Sequence, residues 1–187
     1  MREGHKRGHW IWWAFPTLAQ RGGDGNSHYT GADLKDVDEA RRYASHPALR
    51  SALLEVFRTA ATAFDEAGRA DGLGPYHVLD EGFGRASDGQ WIMGPVDSFK
   101  AWASATLFRE LARLSGDAEL EAAARAVLHE FRGRSIVYES GSVGTAGYTA
   151  GQSLSGSRSV LGEEGDGVTV GLVRATNHRK STTAARS

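Results

Sequence analysis

The stretch Pro47-Ala48-Leu49-Arg50-Ser51-Ala52-Leu53-Leu54-Glu55-Val56-Phe57-Arg58-Thr59-Ala60-Ala61-Thr62-Ala63-Phe64-Asp65-Glu66-Ala67-Gly68 carries its apolar residues at helical spacing. Leu49, Leu53, Val56, Phe57, Ala60 and Phe64 follow one another by threes and fours, which puts them on one face of an α-helix. His46 stands before Pro47. The residue before a proline is pushed out of the α region, whereas proline suits the first helical position, so the helix is expected to begin at Pro47. Gly68 is expected to close it.

The same signals recur on either side. Asp36 followed by Glu39 is a capping-box spacing with aspartate as the cap, and predicts a helix over Val37 to Ser45. Downstream, Phe99, Trp102, Ala103, Thr106, Leu107, Leu111 and Leu114 form a stripe that predicts a helix from Asp97 to Leu114, with Glu110 the exception on that face. Asp117 as cap and Gly133 as stop frame another from Ala118 to Arg132, burying Leu120, Ala124, Val127, Leu128 and Phe131. Between them, glycines and prolines break residues 68–95 into a long loop with one helical turn near Val78 to Glu81. A loop of that length is an insertion or is functional. The run His9 to Leu18 is nearly all apolar and ends its continuity at Pro16. It belongs in a core as a short strand, an extended piece or a helical turn.

The expected fold is therefore mainly α: a small helical domain over residues 1–134, with a short aromatic segment near its N-terminus. From Ile136 onward 23 of 52 residues are Gly, Ser or Thr, and no helical stripe is visible. Residues 135–187 are expected to be an unstructured tail, because too little apolar surface is available to offset the entropy of ordering.

Composition excludes several classes. Without cysteine there is no disulfide, zinc–thiolate centre or thiol nucleophile. A formal net charge of -1 gives no long-range attraction to nucleic acid or anionic membrane, and neither is expected as a partner. No secretory leader or bilayer-length apolar run is read, so a cytoplasmic, soluble protein is expected. No cofactor is called for. His5 and His9 are spaced i, i+4, but Gly4 and Gly8 disfavour a helix there and no carboxylate completes a set, so no metal site is expected.

Two constellations carry chemistry. Lys6, His9 and Trp10 combine a cation, a titratable imidazole and a stacking surface. His9 is a candidate acid or base; alternatively, His9 bonds a backbone carbonyl and Trp10 packs in the core. Asp97, Lys100 and Ser104 lie at i, i+3 and i+7 and share a helix face. Lys100 would hold an anion, and Asp97 would orient it or accept a proton. The same trio also reads as a helix cap, an i,i+3 ion pair and a hydroxyl bonded back along the helix.

Several separated motifs, in order, resemble the domain-of-unknown-function 1810 family. They are Lys6 to Pro16 with its His9-Trp10 and Phe15-Pro16 steps, Ser27 and Tyr29, Glu39-Ala40 through Tyr43, His46-Pro47-Ala48-Leu49, and Asp97, Lys100, Ser104, Thr106, Leu107 and Phe108. Together they span about residues 5–133. Thr17 stands where the family usually has glutamine, Ala103 replaces the first serine of a pair, and residues 68–93 look longer than in compact relatives. The family's usual helix ahead of the His-Trp motif is expected to be missing. The resemblance implies a mainly helical fold and no established activity. Read together, the residues point to binding, and in one version hydrolysis, of a small nucleotide-like or phosphorylated ligand. His9 and Asp97 are the candidate catalytic groups; Lys6, Trp10, Tyr29, Lys100 and Ser104 are the candidate ligand contacts. The alternative is a non-enzymatic interaction module that recruits its partner through the tail.

Overall fold

The computed structural model describes residues 11–18, 33–72, 74–80, 96–132, 134–137, 158–161 and 167–184. The expected mainly helical fold is what these residues form. In chain order they are α1 (Ile11–Ala14), α2 (Val37–Ser45), α3 (Pro47–Asp71), α4 (Pro75–Asp80), α5 (Val96–Ser115), α6 (Ala118–His129), β1 (Arg134–Val137), β2 (Arg158–Leu161) and α7 (Gly167–Ala184).

Local chemistry sets the helix ends. The Asp36 side chain accepts the Glu39 amide at 2.8 Å, as the capping spacing requires. The returning bond of the box shifts by one residue: Glu39 accepts from the Lys35 amide at 2.6 Å. α3 begins at Pro47 as expected, but runs through Gly68 to Asp71. An ion pair between Arg69 and Asp65 supports that extra turn, and Gly72 ends the helix at φ 75°, the left-handed conformation glycine takes without a Cβ clash. α5 starts one residue earlier than expected, so Asp97 lies inside its first turn. Its C-terminus closes on Gly116, φ 74°, and the Asp117 amide reaches back to the Ala112 carbonyl at 2.9 Å, a Schellman closure.

α5 is the centre of the molecule. Every residue from Ala101 to Phe108 is buried, and α6, α7, α4, α2 and α1 all pack on it. Alanine at 101, 103 and 105 lets neighbours approach closely, and the polar residues in this run find partners: Thr106 Oγ1 donates to the Trp102 carbonyl at 2.9 Å. Phe57 of α3 lies between Phe15 and Phe108, with ring centroids 6.0 and 6.2 Å away. At the other end of α3, Phe64 meets Phe131 edge-on at 6.0 Å. Burial of Phe15, Phe57, Phe64, Phe108 and Phe131 supplies much of the hydrophobic stabilisation, at roughly 1.5–3 kcal/mol per large apolar side chain. Arg50 of α3 fastens the start of α6. It donates to both Asp117 oxygens, at 2.6 and 2.8 Å, and to Glu119 at 2.8 Å, while Asp117 also caps α6 through the Leu120 amide.

The aromatic segment resolves into a helical turn followed by an extended piece. Ile11 and Phe15 are buried and Trp13 is 69% exposed. Leu18 and Leu34 form an isolated parallel bridge. Two parts of the region expected to be unstructured have regular structure. β1 and β2 pair antiparallel, Arg134 opposite Leu161. Gly167–Ala184 is helical, and packs on α5 through Val173, which is fully buried. No stripe announced α7 because only Thr169 and Val173 of its described side chains are buried. Two buried positions among the described side chains, residues 169–178, are too few to set a visible period.

Candidate functional site

The N-terminal half of α5 gathers three of the expected site residues. Asp97, Lys100 and Ser104 lie on one face, and that face turns toward the segment Phe15–Leu18. Ser104 fixes the contact: its Oγ, fully buried, donates to the Pro16 carbonyl at 2.9 Å. This hydroxyl is committed to the backbone across the interface, so its role in the described structure is to hold the wall of the site. Pro16 has a buried carbonyl that would otherwise lack this donor, and α5 has a helix hydroxyl that bonds outward instead of back along its own turn.

Lys100 is fully buried. Burial pulls its ammonium down from the ordinary 10.5 to about 7, and the negative charges of Asp33 and Asp97 oppose the drop. The lysine is thus poised between its charged and neutral forms near neutrality, which no exposed lysine is. Asp97 is half-buried on the same helix. Asp33 comes from the segment leading into α2, beside the Leu18–Leu34 bridge, and accepts a long bond from Thr17 Oγ1 at 3.4 Å. Asp33 and Thr17 complete the wall, and neither was singled out from sequence. Asp33 sits among turn-forming residues with no periodicity to mark it, and Thr17 stood out only as a departure from the family pattern. His9, Lys6, Trp10 and Tyr29 lie outside the described residues.

The C-terminal half of α5 holds a second polar cluster. Glu110, the exception in the apolar stripe, is only 2% exposed. It accepts from Arg109 at 3.0 Å, Arg113 at 3.2 Å and Arg174 of α7 at 3.3 Å. Burial pushes its carboxyl up, but the bonds from Arg174, Arg113 and Arg109 outweigh that and hold it below its usual value.

These residues define a helical fold whose central helix carries a buried lysine within the field of two carboxylates at one end and a carboxylate among arginines at the other. Residues 1–74 match the family described as "Protein of unknown function (DUF1810)". The matched segment includes Lys6, His9, Trp10 and Tyr29, along with Thr17 and Asp33, and stops short of α5. No curated protein and no solved structure matches the chain. No helix among the described residues is long and apolar enough to cross a membrane.

Proposed function

We propose that the chain binds a small phosphorylated or nucleotide-like ligand at the N-terminal half of α5. The observation that supports this reading is Lys100: a fully buried lysine set between Asp33 and Asp97 where the aromatic segment meets the central helix. Burying an ammonium there costs stability, and a fold built only for stability gains more from an apolar side chain of the same length. An arriving phosphate would add to the negative charge that Asp33 and Asp97 already set near the ammonium, favour the protonated lysine and raise its proton affinity. Binding would therefore take up a proton and strengthen as the pH falls toward 7. Asp97 orients the ammonium and is the group placed to accept a proton if water is activated. Lys6, Trp10, Tyr29 and His9 remain the candidates for stacking and further contacts, on the strength of the His-Trp motif.

The other reading is an interaction module that recruits a partner through its tail. It has to accommodate α7, whose Val173 and Arg174 are already engaged on α5.

Thermal unfolding in the presence of AMP, ribose 5-phosphate and inorganic phosphate tests the proposal. A ligand at a hundred times its Kd adds about 2.7 kcal/mol of stability, a readily measured rise in Tm. The rise should disappear in Lys100→Met. No rise with any of these compounds, or a rise undiminished in Lys100→Met, would overturn the proposal.

A further inference from the structure

Beyond the lysine site, the C-terminal half of α5, α6 and α7 enclose a cleft of about 650 Å³. Its walls carry Arg109 and Arg113 from α5, Arg125 and His129 from α6, and Arg174 from α7. Against four guanidiniums stand two carboxylates, Glu110 and Glu121, so the cleft holds an excess of two positive charges, before any protonation of His129. That excess is local: the whole chain is close to neutral, at -1.

The arrangement of the charges matters more than their number. Glu110 draws three guanidiniums around one buried carboxylate and so brings like charges close together. It can neutralise only one of them. Arg113 and Arg174 each give Glu110 a single N–H, whereas a guanidinium has five to donate. The Arg125 side chain makes no hydrogen bond or ion pair among the described residues. Glu110 ties α7 to α5, and the exposed Arg125 adds a further guanidinium to the same cleft from α6.

We infer that this cleft is a second ligand site, for a compact polyanion of the di- or triphosphate class. Two or more closely spaced negative charges match the surplus on the walls. Phosphate oxygens also suit the planar fork of arginine, which binds them two at a time. Glu110 acts as a positioning residue: it holds Arg113 and Arg174 at the rim while their remaining N–H groups serve the ligand. The concave shape and its size, within the usual range for small-molecule pockets, favour a compact ion over an extended chain.

Isothermal titration of the full chain with inorganic triphosphate, at constant ionic strength, tests the inference. The wild-type protein should bind triphosphate. Arg125→Ala should weaken binding about tenfold and leave the Tm of the free protein unchanged, because Arg125 supports nothing else among the described residues. Arg174→Lys, which keeps the charge and loses the fork, should weaken binding less than Arg174→Ala. Arg125→Ala should keep any rise in Tm that AMP gives the wild type, which separates this cleft from the lysine site. No heat at millimolar triphosphate overturns the inference. So does unchanged affinity in Arg125→Ala. Tight binding of a single-stranded oligonucleotide without binding of triphosphate would equally overturn it, pointing to a macromolecular partner.

Discussion

Replacing Lys100 by methionine removes the ammonium while keeping most of the length of the stem, and the structure specifies how stability should respond to pH. The folded protein holds this group at about 7, whereas the unfolded chain holds it at the ordinary 10.5. Between those values the unfolded state binds more protons than the folded state. Stability from this group therefore rises with pH across that interval, and its cost is fully present below about 7. At about 1.4 kcal/mol for each tenfold change in proton affinity, the ceiling is about 5 kcal/mol. Relaxation and water reaching the site reduce the effective penalty, and roughly 2–4 kcal/mol is the working figure. The Lys100→Met protein should thus be more stable than wild type at pH 6.5, and the difference should shrink steadily toward pH 10. Urea denaturation of both proteins at pH 6.5, 8 and 9.5 measures it, with the common alkaline sensitivity of the rest of the chain cancelling in the comparison. A difference that stays flat with pH, or a methionine variant less stable than wild type at pH 6.5, would refute the assignment of a depressed, buried lysine.

Other parts of the fold give shorter tests. Ser104→Ala leaves the buried Pro16 carbonyl without its donor and should cost about 1–3 kcal/mol, read by chemical denaturation. Gly72→Ala places a Cβ at φ 75° in open space, so only backbone strain opposes it, and a loss of about 1 kcal/mol is expected. Asp117→Ala removes the α6 cap, at about 1 kcal/mol, and should also blunt acid sensitivity. The bonds from Arg50 hold the Asp117 carboxyl below 3.8, so its contribution is present above that value and is lost as the pH falls through its lowered one. Circular dichroism through an acid titration compares the two proteins.

What was legible in the sequence was what short-range chemistry decides. Asp36, Pro47 and Asp117 mark helix starts because a cap or a fixed φ acts within four residues. The stripes in α3 and α6 are legible because each buries one face against its neighbours; that in α5 is legible because its large apolar residues still fall at helical spacing, although the helix is buried all round from Ala101 to Phe108. Gly68 misled because a glycine ends a helix only where the chain turns away. Here the turn waits for Gly72, and Ala67 is still buried in the core. α7 was not legible, since its placement depends on one buried valine and on a carboxylate 64 residues away. At the lysine site, the face shared by Asp97, Lys100 and Ser104 was visible from their spacing, but Asp33 was not, because only the folded chain brings it beside Lys100. Glu110 was visible as an anomaly in an apolar stripe. Its explanation, an arginine on each side of it and one from a distant helix, needed the tertiary structure.

The way α7 is attached has a consequence for the order in which the molecule opens. α5 is enclosed by helices on several sides, so its amides exchange with solvent only when the whole domain unfolds. Among the described residues, Val173, Thr169 and the Arg174–Glu110 bond tie α7 to the core, and α7 also meets α2. It is expected to detach as a unit while the remaining core stays intact. Hydrogen exchange should therefore separate the two helices into distinct cooperative units. Amides of α7 exchange first and at a lower free energy, in a step that also takes one wall from the arginine cleft. A polyanion bound there should slow the exchange of α7 far more than that of α5.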